Sequence, residues 1–499
     1  MSHWIIAPVV LPALAAALMV TAFRSRLTLQ RALSLAAILA LNAIAFALLH
    51  AATTQGPEAY FLGDWPAPFG IVLVLDRLSA LMVALLAALA LPVTLYAIGS
   101  GWDAKGAHFH PLLQFLLMGV GGAFLTGDAF NLFVFFEVLL IASYGLMTHG
   151  GGQARTRAGV QYVAFNLVGS ALFLFALGLL YGITGTLNMA DLAVKLPGLP
   201  AGDAALLRVS AVMLILVFAI KGALVPLHFW LPATYANAPG VVAALFAIMT
   251  KVGAYATLRF TTLVFPADLP ATGLILPTLL LPAALVTLGI GALGTLGAAT
   301  LPRLAAYAGI ASMGTVFLAI AQMTPAASTA ALYYVIHSTL ASALLFLTAD
   351  LLARRRAHLR LDTPAAVGQS GPVAALFLSA AIALAGLPPL SGFLGKLLIL
   401  DAWRDQAVVI WPAILISSFL MILGLSRAGS LLFWKPGADA PPPPAPAEHL
   451  AHLAALMLLA GLVLLTVLAG PVTDWLAATS RALHDPAAYV AATRLETAP

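Results

Sequence analysis

The chain has 499 residues, 62% of them hydrophobic and only 8% charged, with a formal net charge of +5 and no cysteine. A soluble domain carries about 25% charged residues, so one water-exposed globule is excluded and lipid is the expected solvent. The missing thiols exclude disulfides, cysteine-ligated iron–sulfur clusters, thiolate zinc sites and covalent haem attachment. The basic residues are scattered apart from Arg354-Arg355-Arg356, which excludes a nucleic-acid surface. No cofactor and no metal site are expected, and the partner that composition itself implies is the lipid bilayer.

Apolar runs fall near residues 4–23, 32–52, 71–99, 111–126, 129–148, 158–182, 206–231, 240–265, 273–297, 302–322, 328–352, 373–400, 408–433 and 452–472. Backbone in lipid must satisfy its own hydrogen bonds. The absence of short alternating segments argues against a barrel. The expected fold is therefore all-α and polytopic, with about 14 transmembrane helices. The first run has no basic residue ahead of it and reads as a retained span rather than a signal peptide.

In chain order, His108 and His110 read as loop residues that make no metal site. Gly119, Gly121 and Gly122 read as sites of close helix packing, and Asp128 as the cap of the fifth helix. Glu137 sits within an apolar run, where a lone carboxylate is costly and a nearby ammonium would keep it ionised. Lys221 is its natural partner. The seventh run is then interrupted at Lys221-Gly-Ala-Leu-Val-Pro226-Leu-His228, because proline removes a donor and clashes with the preceding turn. His228 lies roughly 10 Å along the chain from Lys221 if helical, and is a candidate for proton entry.

Lys251 stands near the middle of a run with no other charge, which makes snorkelling a poor account of it. His337 has a side chain suited to a relay, with Ser338 and Ser342 placed to hold water beside it. The twelfth run is broken at Pro388-Pro389, ahead of Lys396. Charged groups at membrane depth cost roughly 2.5–3.5 kcal/mol each on insertion scales. Together, Glu137, Lys221, Lys251, His337 and Lys396 point to moving protons or ions. Beyond them, a proline-rich linker between Lys435 and Glu448 sets off the last helix.

Two broken helices in matching positions, Pro226 in one and Pro388 with Pro389 in the other, predict two inverted five-helix repeats and a transport site between them. The expected division is 1–110 for the first three helices, 111–265 and 272–433 for the two half-channel repeats, and 434–499 for linker, last helix and tail. Thirteen of the 23 Lys and Arg residues fall in loops after odd-numbered helices and five in or beside loops after even-numbered ones, Arg77 and Arg259 among these. That bias places the odd loops in the cytoplasm and both termini outside.

The stretches Gly63-Asp-Trp-Pro-Ala-Pro-Phe-Gly-Ile-Val-Leu-Val-Leu-Asp-Arg-Leu-Ser79, Gly127-Asp-Ala-Phe-Asn-Leu-Phe-Val-Phe-Phe-Glu137, Pro226-Leu-His-Phe-Trp-Leu-Pro232 and Thr250-Lys-Val-Gly253 resemble the D-type component of the Mrp-type (Pha) cation/proton antiporters. The resemblance covers nearly the whole chain. The wider family includes the antiporter-like subunits of respiratory complex I and membrane-bound hydrogenases. The resemblance implies a Glu137–Lys221 pair, a central Lys251, a helix-eleven His337 and a terminal Lys396. It implies proton translocation coupled to export of Na+ or another monovalent cation, other Mrp subunits as partners, no catalytic residues, and a multi-pass place in the bacterial cytoplasmic membrane. Ala233 and Tyr307-Ala-Gly depart from the acidic and serine-rich patterns common in relatives. The rival readings are a proton-pumping subunit of a redox complex, a membrane scaffold without an ion path, and a carrier of an organic solute.

Overall fold

The computed structural model describes residues 2–363, 371–435 and 448–493. Its elements run α1 (Ala7–Thr21), α2 (Leu27–Thr54), β1 (Glu58–Phe61), β2 (Val72–Leu75), α3 (Arg77–Ser100), α4 (Phe109–Leu125), α5 (Ala129–Met147), α6 (Gln153–Thr184), α7 (Met189–Lys195) and α8 (Ala204–Gly222). There follow α9 (Trp230–Asn237), α10 (Gly240–Phe246), α11 (Met249–Arg259), α12 (Ile275–Gly297), α13 (Leu301–Ile320), α14 (Pro325–Ala353), α15 (Gly371–Ala385) and α16 (Ser391–Ala402). The chain finishes with α17 (Ala407–Gly429), α18 (His449–Val467), α19 (Ala469–Leu483) and α20 (Ala487–Ala492). Among the described residues 11 helices are long and apolar enough to cross a membrane, and three shorter apolar helices accompany them. This is an all-helical membrane protein with one small hairpin.

Burial sorts the helices. The span Gly240–Val264 is 100% buried over its most apolar stretch and α14 is 94% buried, whereas α2, α17 and α18 are each 33% buried. A helix apolar on every side belongs either in a core or in lipid. Here the central pair takes the first role and the peripheral helices the second. Gly119 of α4 lies against α5, where an added Cβ would meet the Leu139 backbone nitrogen at 2.7 Å. That is the close packing expected of the glycine cluster.

The hairpin was not expected. The apolar run at 71–99 opens as β2, which pairs antiparallel with β1, Val72 opposite Phe61 and Leu75 opposite Glu58. Asp76 ends the strand and starts α3. Its carboxylate accepts from the Ser79 amide at 2.8 Å, and Ser79 Oγ accepts from the Asp76 amide at 2.8 Å. Reciprocal capping of this kind satisfies two donors that the helix start leaves free. Asp128 caps α5 in the expected way, accepting from the Asn131 amide at 2.8 Å.

Several charged residues assigned to loops are anchored inside. Arg259 is buried and forks onto Asp76, with bonds of 2.7 and 2.8 Å, so it ties α11 to the hairpin. His110 lies in α4, fully buried, with Nε2 3.1 Å from Asp103. Asp103 also takes a two-pronged bond from Arg31 at 2.6 and 2.9 Å. Burial raises the Asp103 carboxyl, but the bonds from His110 and Arg31 outweigh it and leave the group below its ordinary range. The run Arg354-Arg355-Arg356 is a knot rather than a solvated patch. Arg354 and Arg355 each hold Glu448 at 3.0 Å, and Asp350 accepts from Tyr96 at 2.7 Å and from Trp102 at 2.9 Å. The proline-rich linker lies outside the described residues between its two ends, as does the tail from 494 onward.

Candidate functional site

The first interruption begins where α8 stops at Gly222. Ala223 adopts a left-handed conformation with φ 55°, the Leu224 amide turns back to Ala219 O at 2.9 Å, and the Leu227 amide reaches Leu224 O at 2.6 Å. Protein groups satisfy the unwound backbone: Trp230 Nε1 donates to Ile220 O at 2.9 Å, and the Val225 amide donates to Thr287 Oγ1 of α12 at 2.9 Å. Such cover is what permits irregular backbone at membrane depth.

The second interruption repeats this backbone residue for residue. Gly386 takes the left-handed place with φ 78°, the Leu387 amide turns back to Ile382 O at 3.0 Å, and Leu390 reaches Leu387 O at 3.4 Å. Pro389 stands level with Pro226, Ser391 with His228, Lys396 with Ala233, and Leu384 with Lys221. Gly386 is required twice over. Its φ favours glycine, and a Cβ there would lie 2.6 Å from Lys396 Cδ.

A third interruption gives no sign in the sequence. Between α10 and α11 the chain tightens at Ala247 and Ile248, whose amides bond three residues back to Ala244 and Leu245. Tyr235 Oη donates to the Phe246 carbonyl at 2.8 Å. No proline lies between Gly240 and Arg259. Lys251 stands in the first turn after this joint.

The five titratable residues are all drawn into the bundle. Lys221, Lys251, His337 and Lys396 are buried, at 7%, 1%, 0% and 7% exposure, while Glu137 is half-buried. The direct Glu137–Lys221 pair expected from the sequence is absent from the ion pairs among the described residues. Lys221 Nζ donates instead to Asn166 Oδ1 at 2.9 Å, and Ser170 Oγ donates to the Glu137 carboxylate. Both partners belong to α6, one turn apart, although the Glu137 charge is still felt at Lys221. A small cavity with about 10 Å³ of room for a water centre lies beside Lys221, bounded by Tyr162, Asn166, Trp230, Met249 and Val252. That is space for roughly one water.

Lys251 has no carboxylate beside it, as its surroundings in the sequence suggested. Its Nζ lies 3.3 Å from the Met313 sulfur of α13, a weak acceptor. Gly253, two residues on, lets α11 touch α8: a Cβ there would sit 2.6 Å from Phe218 O and 3.1 Å from the Lys221 carbonyl carbon. His337 Nδ1 pairs with Ser391 Oγ at 2.9 Å across the second break. Of the two serines expected to flank it, Ser342 Oγ is buried without a protein partner, whereas Ser338 bonds its own helix at Val335 O. Lys396 Nζ donates to Ala385 O and to Ser418 Oγ of α17, each at 2.8 Å. His228 lies on the first break, buried, with Nδ1 unpartnered. Among the described residues no cluster of three or more His, Asp or Glu is arranged to hold a metal.

Sequence reasoning missed Asn166, Ser170, Ser391 and Ser418 as the groups that hold these side chains. Asn166 and Ser170 did leave a signal, two polar residues four apart in a largely apolar run.

An all-helical membrane bundle with interrupted helices around buried lysines defines the class. The chain belongs to the family described as "NADH:quinone oxidoreductase/Mrp antiporter, TM", matched over residues 126–424. It is 38% identical to the D-type component of the Na(+)/H(+) antiporter of Bacillus subtilis (strain 168), over 99% of each chain. It is 36% identical to the corresponding D-type component of the probable K(+)/H(+) antiporter of Rhizobium meliloti (strain 1021), over 97% of this chain and 96% of the relative. In solved structures it resembles a chain of the Mrp complex from a Dietzia species, with TM-score 0.88, 26% identity, and 99% of this chain and 100% of that one covered. A chain of respiratory complex I from Thermus thermophilus gives TM-score 0.79 at 28% identity, covering 97% of this chain and 99% of that one.

Proposed function

We propose that this chain is the proton-carrying subunit of a multisubunit monovalent cation/proton antiporter of the bacterial cytoplasmic membrane. It works beside other Mrp-type subunits, with both termini outside. Protons pass along Lys221, Lys251, His337 and Lys396, with Glu137 tuning Lys221 and His228 at the inner entrance. Their inward flow drives export of Na+ or another monovalent cation. The half-channels are residues 111–265 and 272–433, each built around one proline-broken helix. The protein is a secondary transporter subunit rather than an enzyme.

One observation carries this reading: four protonatable nitrogen groups lie inside the bundle with no carboxylate bonded to them among the described residues, and two of them, His337 and Lys396, are bonded to groups on or beside a helix break. A purely structural scaffold would gain nothing from buried lysines that each cost several kcal/mol unless paired. The names of the two curated relatives support cation/proton exchange. The likeness to complex I supports a second reading, a proton-pumping subunit of a redox complex, at lower identity than the antiporter relatives. The test is Lys251→Ala in the assembled complex. Cation-dependent collapse of a pH gradient in inverted vesicles is expected to fall to background while assembly is unchanged. Wild-type exchange by the assembled variant rejects the proposal. Gene neighbours encoding flavin or iron–sulfur subunits would transfer the chain to the redox reading.

A further inference from the structure

Asn166 is 1% exposed on α6, and its own bonds fix which atom it offers. Nδ2 donates to the Tyr162 carbonyl at 2.8 Å, so Oδ1 is left as the acceptor for Lys221 Nζ at 2.9 Å. An ammonium has three donors and no acceptor, so this orientation of the amide suits a protonated Lys221. One turn further along the same helix, Ser170 occupies the Glu137 carboxylate. One helix thus gives each member of an expected ion pair a substitute partner. The remaining neighbours of the ammonium are the Phe136 ring at 5.7 Å and the water-sized cavity.

We propose that Asn166 is a positioning residue that holds the Lys221 ammonium out of contact with Glu137, Ser170 holding the carboxylate in turn, so that α6 sets the separation of the pair and the acidity range over which exchange runs. This rests on the proposed role of Lys221 in proton transfer. Breaking either substitute bond lets the pair close, because a lysine side chain has four rotatable carbons with which to swing. A closed pair keeps its proton; a pair held apart releases it to the next site. The titratable groups that meet Lys221 are Glu137 from α5 and Tyr162 from α6. Tyr162 is not a carboxylate that could replace Glu137 as counter-ion.

The test is the pH profile of cation-dependent exchange, measured on the whole complex in inverted vesicles, for Asn166→Asp, Asn166→Leu, Asn166→Gln and Ser170→Ala. Asn166→Asp places a fixed carboxylate against the ammonium and is expected to move the optimum alkaline by about one pH unit or more, as an opposite charge in contact does. Asn166→Leu removes the acceptor without adding charge, lets the pair close, and is expected to shift the profile alkaline; an acid shift would overturn the inference. Asn166→Gln restores the acceptor and is expected to bring the profile back. Ser170→Ala frees Glu137 and gives a smaller alkaline shift. Profiles of Asn166→Asp and Asn166→Leu that superimpose on wild type overturn the inference. If those two fail to assemble, an unshifted Ser170→Ala profile overturns it alone. Lys221→Ala separates the two levels. Wild-type exchange by that variant would reject the proposed function itself. Loss of exchange in it, together with unshifted Asn166 profiles, would reject only the role of α6.

Discussion

The two proline breaks share a backbone but place their lysines on opposite sides of it. Lys221 precedes the first break, in the last turn of α8, and Lys396 follows the second, in α16. The Lys221 ammonium is held by Asn166 of α6, whereas Lys396 reaches back to Ala385 O, at the C-terminal end of α15, at 2.8 Å. That end of a helix carries partial negative charge, and half-helix C-termini are used to hold cations at membrane depth. The second break thus offers a freed carbonyl that makes a buried ammonium tolerable, and the first leaves that task to a side-chain amide.

The difference lies in what else satisfies the break. Around Lys221, Trp230 and Thr287 take up unwound backbone groups, so the lysine is not needed to close it. Around Lys396 the lysine itself caps α15. Lys221→Ala and Lys396→Ala are both expected to bring exchange to background. Lys396→Ala should lower the melting temperature of the purified complex by more, because it loses two bonds from a charged donor, each worth about 1.5–3 kcal/mol, against one at Lys221. Equal melting temperatures would erase the contrast.

The left-handed residues sharpen it next. Gly386→Ala adds a Cβ 2.6 Å from Lys396 Cδ and strains φ, at a cost of about 1–3 kcal/mol. Ala223→Gly relieves a left-handed alanine and should change stability by less than about 1 kcal/mol. Thermal unfolding followed by tryptophan fluorescence compares the two, and a destabilising Ala223→Gly would count against the equivalence of the breaks. A smaller loss of exchange than at either lysine is expected at Ser391, level with His228. Ser391→Ala removes one neutral hydrogen bond from His337, about 1 kcal/mol, and should slow exchange several-fold without abolishing it. Unchanged initial rates would mean that the bond does not orient the imidazole.

Much of this was legible in the sequence. The apolar runs placed the helices, because lipid leaves the backbone few alternatives. Pro226 and Pro388-Pro389 placed two interruptions, because proline acts locally. Lys221, Lys251, His337 and Lys396 declared themselves by being ionisable where ionisation is costly. What stayed hidden depends on contacts between distant segments. Asn166 takes the place that Glu137 was expected to fill because α6 lies against α8, and no local pattern encodes that. Arg259 looked like a loop residue until Asp76, far earlier in the chain, was seen to receive it. The short strand β2 reads in the sequence as the start of a helix because four apolar residues fit either period.

The interruption beside Lys251 differs in kind from the two prolines. Pro226 and Pro389 have lost their amide hydrogens permanently, so those gaps cannot anneal into continuous helix. Ala247 and Ile248 keep theirs and bond one residue short of the regular partner. A slip of each amide by a single carbonyl would splice α10 to α11 and rotate everything beyond the joint, Lys251 included, about the helix axis. The most deeply enclosed lysine of the set therefore follows a joint that keeps every backbone donor which the proline breaks have given up.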